Sequence, residues 1–410
     1  MNKGSWGNSV VRGSSVQGWL RGPAGWQAWG VLGVVLLASV VRVGLRSSDG
    51  GMDNAIVVRA AQAWLDGGSP YADRHFLYLP SAVVAAALEA RIPVGLLRYL
   101  VPSVVVGGLL VGWGSALRVY GVPLRSRYAA LGLGGLALGF APFGHLIALG
   151  NWTVVAAAAL PLALLCACRE RWVLAGVVIG VAIAVKPLLV PVALLFVFAR
   201  QWRGLAAVVL VPAGASALAA LAMPDPAGFF TRTLPFLLRG EDTFVRLYEA
   251  SPAAILPRLG VPQGAASLLA AGAAAAGVWC AWRRWGRADA GAGRVVECAV
   301  MLMLAAFLVS RPSYDHYLLV VVPLLLAGAG QEGAVARSPW FWVALVPQVP
   351  GFSWPWLEPG TRRAYRDFLT LCVLAVTVAL CCVRRGRATL ECPDPRVVGE
   401  PAVPVSRAAF

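Results

Sequence analysis

Residues 172–199 read WVLAGVVIGVAIAVKPLLVPVALLFVFA, an apolar run interrupted by one charge, at Lys186-Pro187. Arg169 and Arg171 precede the run, and Arg200 and Arg203 follow it. Basic residues that flank apolar segments resist translocation, so both ends belong in the cytoplasm and the run must go out and return. Each arm, 172–185 and 187–199, reaches roughly 20 Å at 1.5 Å per residue. That is short of the ~30 Å hydrocarbon core. The run therefore reads as a hairpin of two short helices, with Lys186 at its tip, pointing outward but sunk below the surface. This reading sets the fold class: an all-α, polytopic integral membrane protein.

Composition agrees. Of 410 residues, 59% are apolar and 13% charged, where a soluble globular chain has roughly 45–50% and about 25%. Lys and Arg number 35 against 19 Asp and Glu, a net charge of +16. In a soluble chain that excess would suggest nucleic acid. Here it marks cytoplasmic turns, and no nucleic-acid partner is expected. The lysines are Lys3 and Lys186 alone, so the second stands out in its apolar setting. The eight cysteines show no CxxC spacing and read as small hydrophobes.

Working outward, a first span is expected over 26–45. It follows Lys3, Arg12 and Arg21, so 1–25 is a cytoplasmic leader and the helix is uncleaved. Residues 47–77 then form a first outer loop. Within it, Asp53 opens DNAIVVRAAQAWLD, with Ile56, Val57, Ala60, Ala63 and Trp64 at helical spacing, a helix lying on the membrane surface. Gly67, Gly68 and Pro70 stop it. Arg118, Arg125 and Arg127 mark a cytoplasmic turn, and further spans are expected over 128–149, 152–168, 205–223, 265–282, 295–309, 317–330, 339–349 and 368–383. The other outer loops are 224–260 and 310–316. Residues 78–94, with Glu89 and Arg91, read as re-entrant or interfacial. The total is about twelve transmembrane helices over 26–387 with both termini cytoplasmic, followed by a Pro-rich tail, 388–410, expected to be disordered.

On this map the outer face gathers Asp49, Asp53, Asn151, Lys186, Arg246, Arg311, Asp315 and His316. Polar groups at membrane depth are costly and point first to function. Lys186 reads either as a snorkelling charge or as an anion site, most simply for a lipid-linked phosphate. Asp53 reads either as a helix N-cap or as a base that deprotonates an acceptor hydroxyl, with Asp49 in reserve. His316 reads either as a structural histidine or as a donor to a phosphate oxygen. His145 has no second His or Cys at ligand spacing, so no metal is expected. Without a sizeable soluble domain, the energy for any chemistry must come with a membrane-borne substrate, and no cofactor is called for.

Three stretches carry a resemblance. Gly51-Met-Asp53-Asn through Gly67-Gly-Ser-Pro70-Tyr71, followed by Tyr78-Leu-Pro80, resembles the first outer loop of glycosyltransferase family 87. These are GT-C-type enzymes that use polyprenol-phosphate sugars, chiefly mannosyltransferases of actinobacteria. Trp172 through Ala184-Val-Lys186-Pro187, closed by Arg200-Gln-Trp-Arg203, is similar to the family's glycine-rich hairpin. Ser310-Arg311-Pro-Ser-Tyr-Asp315-His316-Tyr is similar to its late Asp-His segment.

The resemblance implies a membrane glycosyltransferase with Asp53 as general base and Lys186 and His316, with Arg311 beside them, on the donor phosphate. Tyr71, Tyr78, Asn151, Asp315 and Arg246 become candidates for substrate contact. Two departures touch specificity: Asn151 stands where the family more often has Gln, and Glu249-Ala-Ser251 replaces Asn-x-Ser. The implied partners are a polyprenyl-phosphate sugar, a glycolipid or glycan acceptor and membrane lipids, at the outer side of the plasma membrane. Mannose is the expected sugar, with arabinofuranose as the alternative. A lipid or anion transporter is the rival of another class, which would need matching broken helices in two halves.

Overall fold

The computed structural model describes residues 16–47, 49–239, 248–287, 291–351 and 359–384. Arg246, the first part of the leader and the 388–410 tail lie outside the described residues. Among the described residues the chain is helical. The helices are α1 (Trp26–Arg46), α2 (Met52–Leu65), α3 (Pro80–Glu89), α4 (Val94–Val119), α5 (Arg127–Gly139), α6 (Ala141–Leu149), α7 (Thr153–Cys168), α8 (Trp172–Val185) and α9 (Ala193–Phe198). After them come α10 (Trp202–Leu221), α11 (Leu234–Arg239), α12 (Pro252–Arg258), α13 (Gln263–Trp285), α14 (Ala292–Val309), α15 (Val322–Ala327), α16 (Pro339–Leu345) and α17 (Pro359–Arg384).

Six of these are long and apolar enough to cross a membrane, namely α1, α4, α10, α13, α14 and α17 from Arg363 onward, with α5 and α6 together making a seventh. Twelve were expected. The difference lies in short helices: α7, α8 and the 3-10 turns that continue into α9 and α15 have 10–17 residues each. The expected span 128–149 is not straight either, because α5 and α6 meet at 69°. Pro142 in the first turn of α6 explains the break, since its ring forbids a continuous helix through Phe140. The segment 78–94 forms α3, ten residues long. A helix of that length reaches about 15 Å, half the hydrocarbon core.

Packed helices include parallel pairs, as Gly108 and Gly112 of α4 meet Val154 and Ala157 of α7 in the same order, and the contacts at the helix ends define two distinct ends of the molecule. At one end Ala24 N–H donates to Arg125 O and Arg127 N–H to Gly22 O, both at 2.8 Å. Trp172 packs edge-on against Phe196 and Trp285 there, which closes the 172–199 hairpin on itself. The Arg287 guanidinium bonds Cys382 O at the foot of α17. This end holds the arginines read as cytoplasmic anchors. At the other end lie the start of α2, the α6–α7 junction, Lys186 and the Asp315–His316 turn.

Close approach of α8 and α10 relies on glycine: a Cβ on Gly176 would lie 2.2 Å from Gly204 O. Small residues let membrane helices pack backbone to backbone in this way. Deep between α13 and α14, Arg284 Nε meets Glu297 Oε2 at 2.7 Å with both side chains almost wholly buried. Removing one partner takes this ion pair from the other buried charge, a loss of up to about 3–5 kcal/mol. Arg284→Met is therefore expected to lower the melting temperature sharply in detergent. Adding Glu297→Leu should restore part of it, because a buried pair replaced by apolar side chains no longer carries the cost of a desolvated carboxylate.

Candidate functional site

Local sequence rules put Lys186 where it is. A residue before proline is driven out of the α region, and Lys186 is extended at φ −147°, ψ 119°, ending α8 at Val185. Its ammonium then reaches the start of α7, donating to Asn151 Oδ1 at 2.6 Å and Thr153 Oγ1 at 2.8 Å. The rings of Tyr78 and Tyr317 lie 5.7 and 5.4 Å from Nζ, within cation–π range. Lys186 is half-buried.

Asn151 is the hub. Gly150, left-handed at φ 60°, closes α6, and Asn151 Oδ1 accepts Thr153 N–H at 2.7 Å as α7 begins. The other end of the amide, Nδ2, donates to Asp53 Oδ2 at 2.6 Å. Chemistry fixes the orientation of the amide: its oxygen faces an ammonium and an N–H, and its nitrogen faces a carboxylate. Asp53 and Lys186 are thus one amide group apart. Asp53 is not the helix N-cap; Gly51 is, and no side chain caps that end. The carboxylate lies in the first turn of α2, where the helix dipole favours negative charge, and its Oδ1 has no hydrogen-bond partner among the described residues.

Backbone contact between two glycine-bearing loops sets this geometry. A Cβ on Gly150 would lie 2.3 Å from Gly50 O, and one on Gly51 would lie 2.3 Å from Leu149 O. Gly150→Ala adds both a clash and a disfavoured φ, so the loops must part and Asn151 must leave Asp53. A fall of about tenfold or more in transfer activity is expected, with a destabilisation of about 1–3 kcal/mol read by thermal unfolding.

The third member is His316, buried, stacked on Tyr314 at 5.4 Å and edge-on to Tyr317 at 5.1 Å. Tyr317 thereby touches both His316 and Lys186. Burial lowers the imidazole's pKa, against the opposing pull of the Asp315 carboxylate. Its Nδ1 is 3.4 Å from Asp315 Oδ1, and Nε2 has no hydrogen-bond partner among the described residues. Buried ring nitrogens are rarely left unpaired without a reason. Asp315 itself faces inward: it bonds His145 Nδ1, accepts Arg363 Nη2 at 3.1 Å and accepts His316 N–H at 2.8 Å.

The other candidates fall around this cluster. Tyr78 joins it, ring against Trp152 at 5.8 Å. Tyr71 is buried behind it, among Phe76 and Phe229. Asp49 lines a neighbouring cavity. Arg311 turns toward the second outer loop, donating to Ala253 O at 2.7 Å with Glu249 3.7 Å away. Sequence reasoning missed Thr153, His145, Arg363 and Tyr317. His145 was set aside for want of a metal-ligand partner, whereas its partner is a carboxylate 170 residues away. An apolar groove of about 540 Å³, lined by Leu79, Pro80, Ile183, Val190, Pro212 and Phe229, lies between the hairpin and α10, with Ile183 and Val190 on either side of Lys186 in the chain. Val190, Val209 and Phe230 are exposed there, so it opens onto the outer flank of the helices.

A helical membrane protein with a carboxylate, an ammonium and a buried imidazole gathered beside a lipid-side groove is the class these features define. The sequence profile described as Glycosyltransferase family 87 matches residues 76–310, and the chain belongs to that family. Among curated proteins it is similar to the alpha-(1->3)-arabinofuranosyltransferase of Mycobacterium tuberculosis, 34% identical over 185 residues, 42% of this chain and 41% of that protein. The protein of the same name from Corynebacterium glutamicum is 28% identical over 178 residues, again 42% and 41%. That from Mycolicibacterium smegmatis is 28% identical over 283 residues, 67% and 64%. The chain thus spans less than two thirds of each relative it matches. No solved structure matches it.

Proposed function

We propose that this protein transfers a sugar from a polyprenyl-phosphate donor to a hydroxyl of a glycan or glycolipid, and that the sugar is arabinofuranose. The observation that carries the reaction class is the Asp53–Asn151–Lys186 relay, which sets a base and a cation one amide apart. The names of the relatives favour arabinofuranose over the mannose that the sequence resemblance suggested. The arginine-rich end is read as cytoplasmic, with about twelve crossings, both termini inside, and the relay facing the outer side of the plasma membrane.

In this reading the donor phosphate sits against Lys186 Nζ and His316 Nε2. As the bond from the anomeric carbon to the phosphate oxygen breaks, those groups stabilise the negative charge left on polyprenyl phosphate. Asp53 Oδ1 takes the proton of the acceptor hydroxyl while its oxygen bonds the anomeric carbon from the opposite face. A single displacement inverts that centre, so a β-linked donor gives an α-linked product. Asn151 keeps Asp53 and Lys186 in register, and the groove between the hairpin and α10 takes the polyprenyl chain. No metal or cofactor has a part in these steps.

The test is paired incubation of the purified protein and membrane glycan extract with radiolabelled polyprenyl-phosphate-arabinofuranose or polyprenyl-phosphate-mannose. Label should pass to glycan from the first donor and not from the second. Transfer from mannose alone would overturn the sugar, and transfer from neither would overturn the class.

A further inference from the structure

At the arginine end, away from the relay, a cavity of about 820 Å³ lies where the two ends of the 172–199 hairpin meet. Glu170, Arg171 and Trp172 line it at the entry to α8, and Arg200, Trp202 and Arg203 at the entry to α10. The two helices start side by side, since a Cβ on Gly204 would lie 2.8 Å from Trp172 O. The turns that feed them are built alike. Glu170 and Arg200, each two residues before the tryptophan that opens its helix, are left-handed at φ 59° and 54°. A residue with a side chain adopts that conformation at a cost, and a charge that only anchors a helix end needs no such turn.

Charge in this cavity is one-sided. Arg171, Arg200 and Arg203 are exposed, and none has a side-chain hydrogen bond or ion pair among the described residues. Glu170 is the one acid in the wall, and its Oε2 accepts Trp172 Nε1 at 3.1 Å. Arg171 directly precedes α8 and Arg203 lies in the first turn of α10, and neither first turn holds an acid. The helix dipoles therefore add to the arginines' potential instead of offsetting it. Next to the arginines the wall turns apolar, through Val173, Leu174 and Val177 on the exposed face of α8, with Val181 one turn further on. Trp202, exposed at the rim, has the amphipathic ring that favours the membrane–water interface.

We propose that this cavity binds the headgroup of an anionic phospholipid from the leaflet at the arginine end, its phosphate held by Arg171, Arg200 and Arg203 and one acyl chain lying along Val173, Leu174, Val177 and Val181. Three uncompensated cations beside an apolar flank match a molecule charged at one end and apolar at the other, and basic pockets between membrane helices suit such headgroups. A free phosphate would meet the arginines and leave the flank unused. The bound lipid joins the two ends of the hairpin whose tip carries Lys186, and so holds its arms together from the base. It is a structural ligand, at the opposite end of the molecule from the relay.

The test uses full-length protein in detergent, with dioctanoyl phosphatidylglycerol as probe, dioctanoyl phosphatidylcholine as the zwitterionic control and inorganic phosphate as the free anion. Asparagine tolerates a left-handed backbone, so Arg200→Asn with Arg203→Gln keeps the turn and should fold, which thermal unfolding without lipid checks. That double variant is expected to weaken phosphatidylglycerol binding by about tenfold or more, as for the loss of two cations beside an anionic headgroup. It should also lose the rise in melting temperature that the lipid gives the wild type. Arg171→Gln, on the opposite wall, should weaken binding about fivefold by itself, a second reading that does not depend on the double variant's stability. Arg118→Gln with Arg125→Gln removes two exposed arginines from another turn at the same end and should leave binding unchanged. Unchanged phosphatidylglycerol affinity in the cavity variants, an equal loss in the Arg118/Arg125 variant, or equal binding of phosphatidylcholine by wild type overturns the proposal. Inorganic phosphate bound as tightly as phosphatidylglycerol overturns the lipid as occupant.

Discussion

Asp53→Asn is expected to cut sugar transfer by about a thousandfold, within the range for removal of a general base, while the protein folds and binds donor as before. The substitution is nearly isosteric, and its side-chain oxygen can still accept from Asn151 Nδ2, which donates to Asp53 at 2.6 Å. What is lost is proton affinity at the oxygen facing the acceptor. Transfer should fall through kcat, with little change in the donor's KM, because the interaction is made in the transition state. Initial-rate measurements with labelled donor decide it. Activity within tenfold of wild type would leave Asp53 with a structural role in the first turn of α2 and move the base to Asp49.

Lys186→Met is expected to abolish donor binding at concentrations that saturate the wild type, a loss of about a hundredfold or more in affinity. Methionine keeps the length and apolar stem of lysine and can rest between the rings of Tyr78 and Tyr317, so packing survives. The positive charge does not, and a phosphate in a site of low dielectric depends on it. The variant also leaves Asn151 Oδ1 and Thr153 Oγ1 without their ammonium. Each keeps another use, Asn151 Oδ1 for Thr153 N–H and the hydroxyl as a rotatable donor, so destabilisation should be modest, about 1–2 kcal/mol. Binding of farnesyl phosphate and thermal unfolding of the apo protein separate the two effects. Unchanged donor affinity would make Lys186 a tether between α7 and α8.

Much of this arrangement was legible in the sequence because it rests on local rules. Pro187 forces Lys186 out of the helix, Gly67 and Gly68 stop α2, and arginine clusters mark the turns. The first span, read as 26–45, is Trp26–Arg46 in the structure. The relay was legible only in part. Asp53, Asn151 and Lys186 were each singled out, but their contact depends on Gly50, Gly51 and Gly150 allowing two loops to meet backbone to backbone, which no local pattern announces. Thr153 read as the start of a span and Arg363 as the approach to the last helix. Asp315 was placed among substrate contacts, yet it is almost fully buried and bonded to His145 and Arg363. The count of spans is the hardest feature to read, because helices such as α7 and α8 are as apolar as the six long ones and shorter. The sugar is not legible for another reason: resemblance to the family carries the reaction class, and its commonest sugar need not be that of each member.

The most direct measurement of the central claim is a cryo-electron microscopy structure of the full chain bound to a non-cleavable phosphonate analogue of a polyprenyl-phosphate sugar. The account predicts the phosphonate within hydrogen-bond reach of Lys186 Nζ and His316 Nε2, the lipid chain in the Leu79–Phe229 groove, and the anomeric carbon turned toward Asp53. A phosphonate bound away from Lys186, with Asp53 remote from the sugar, would contradict it.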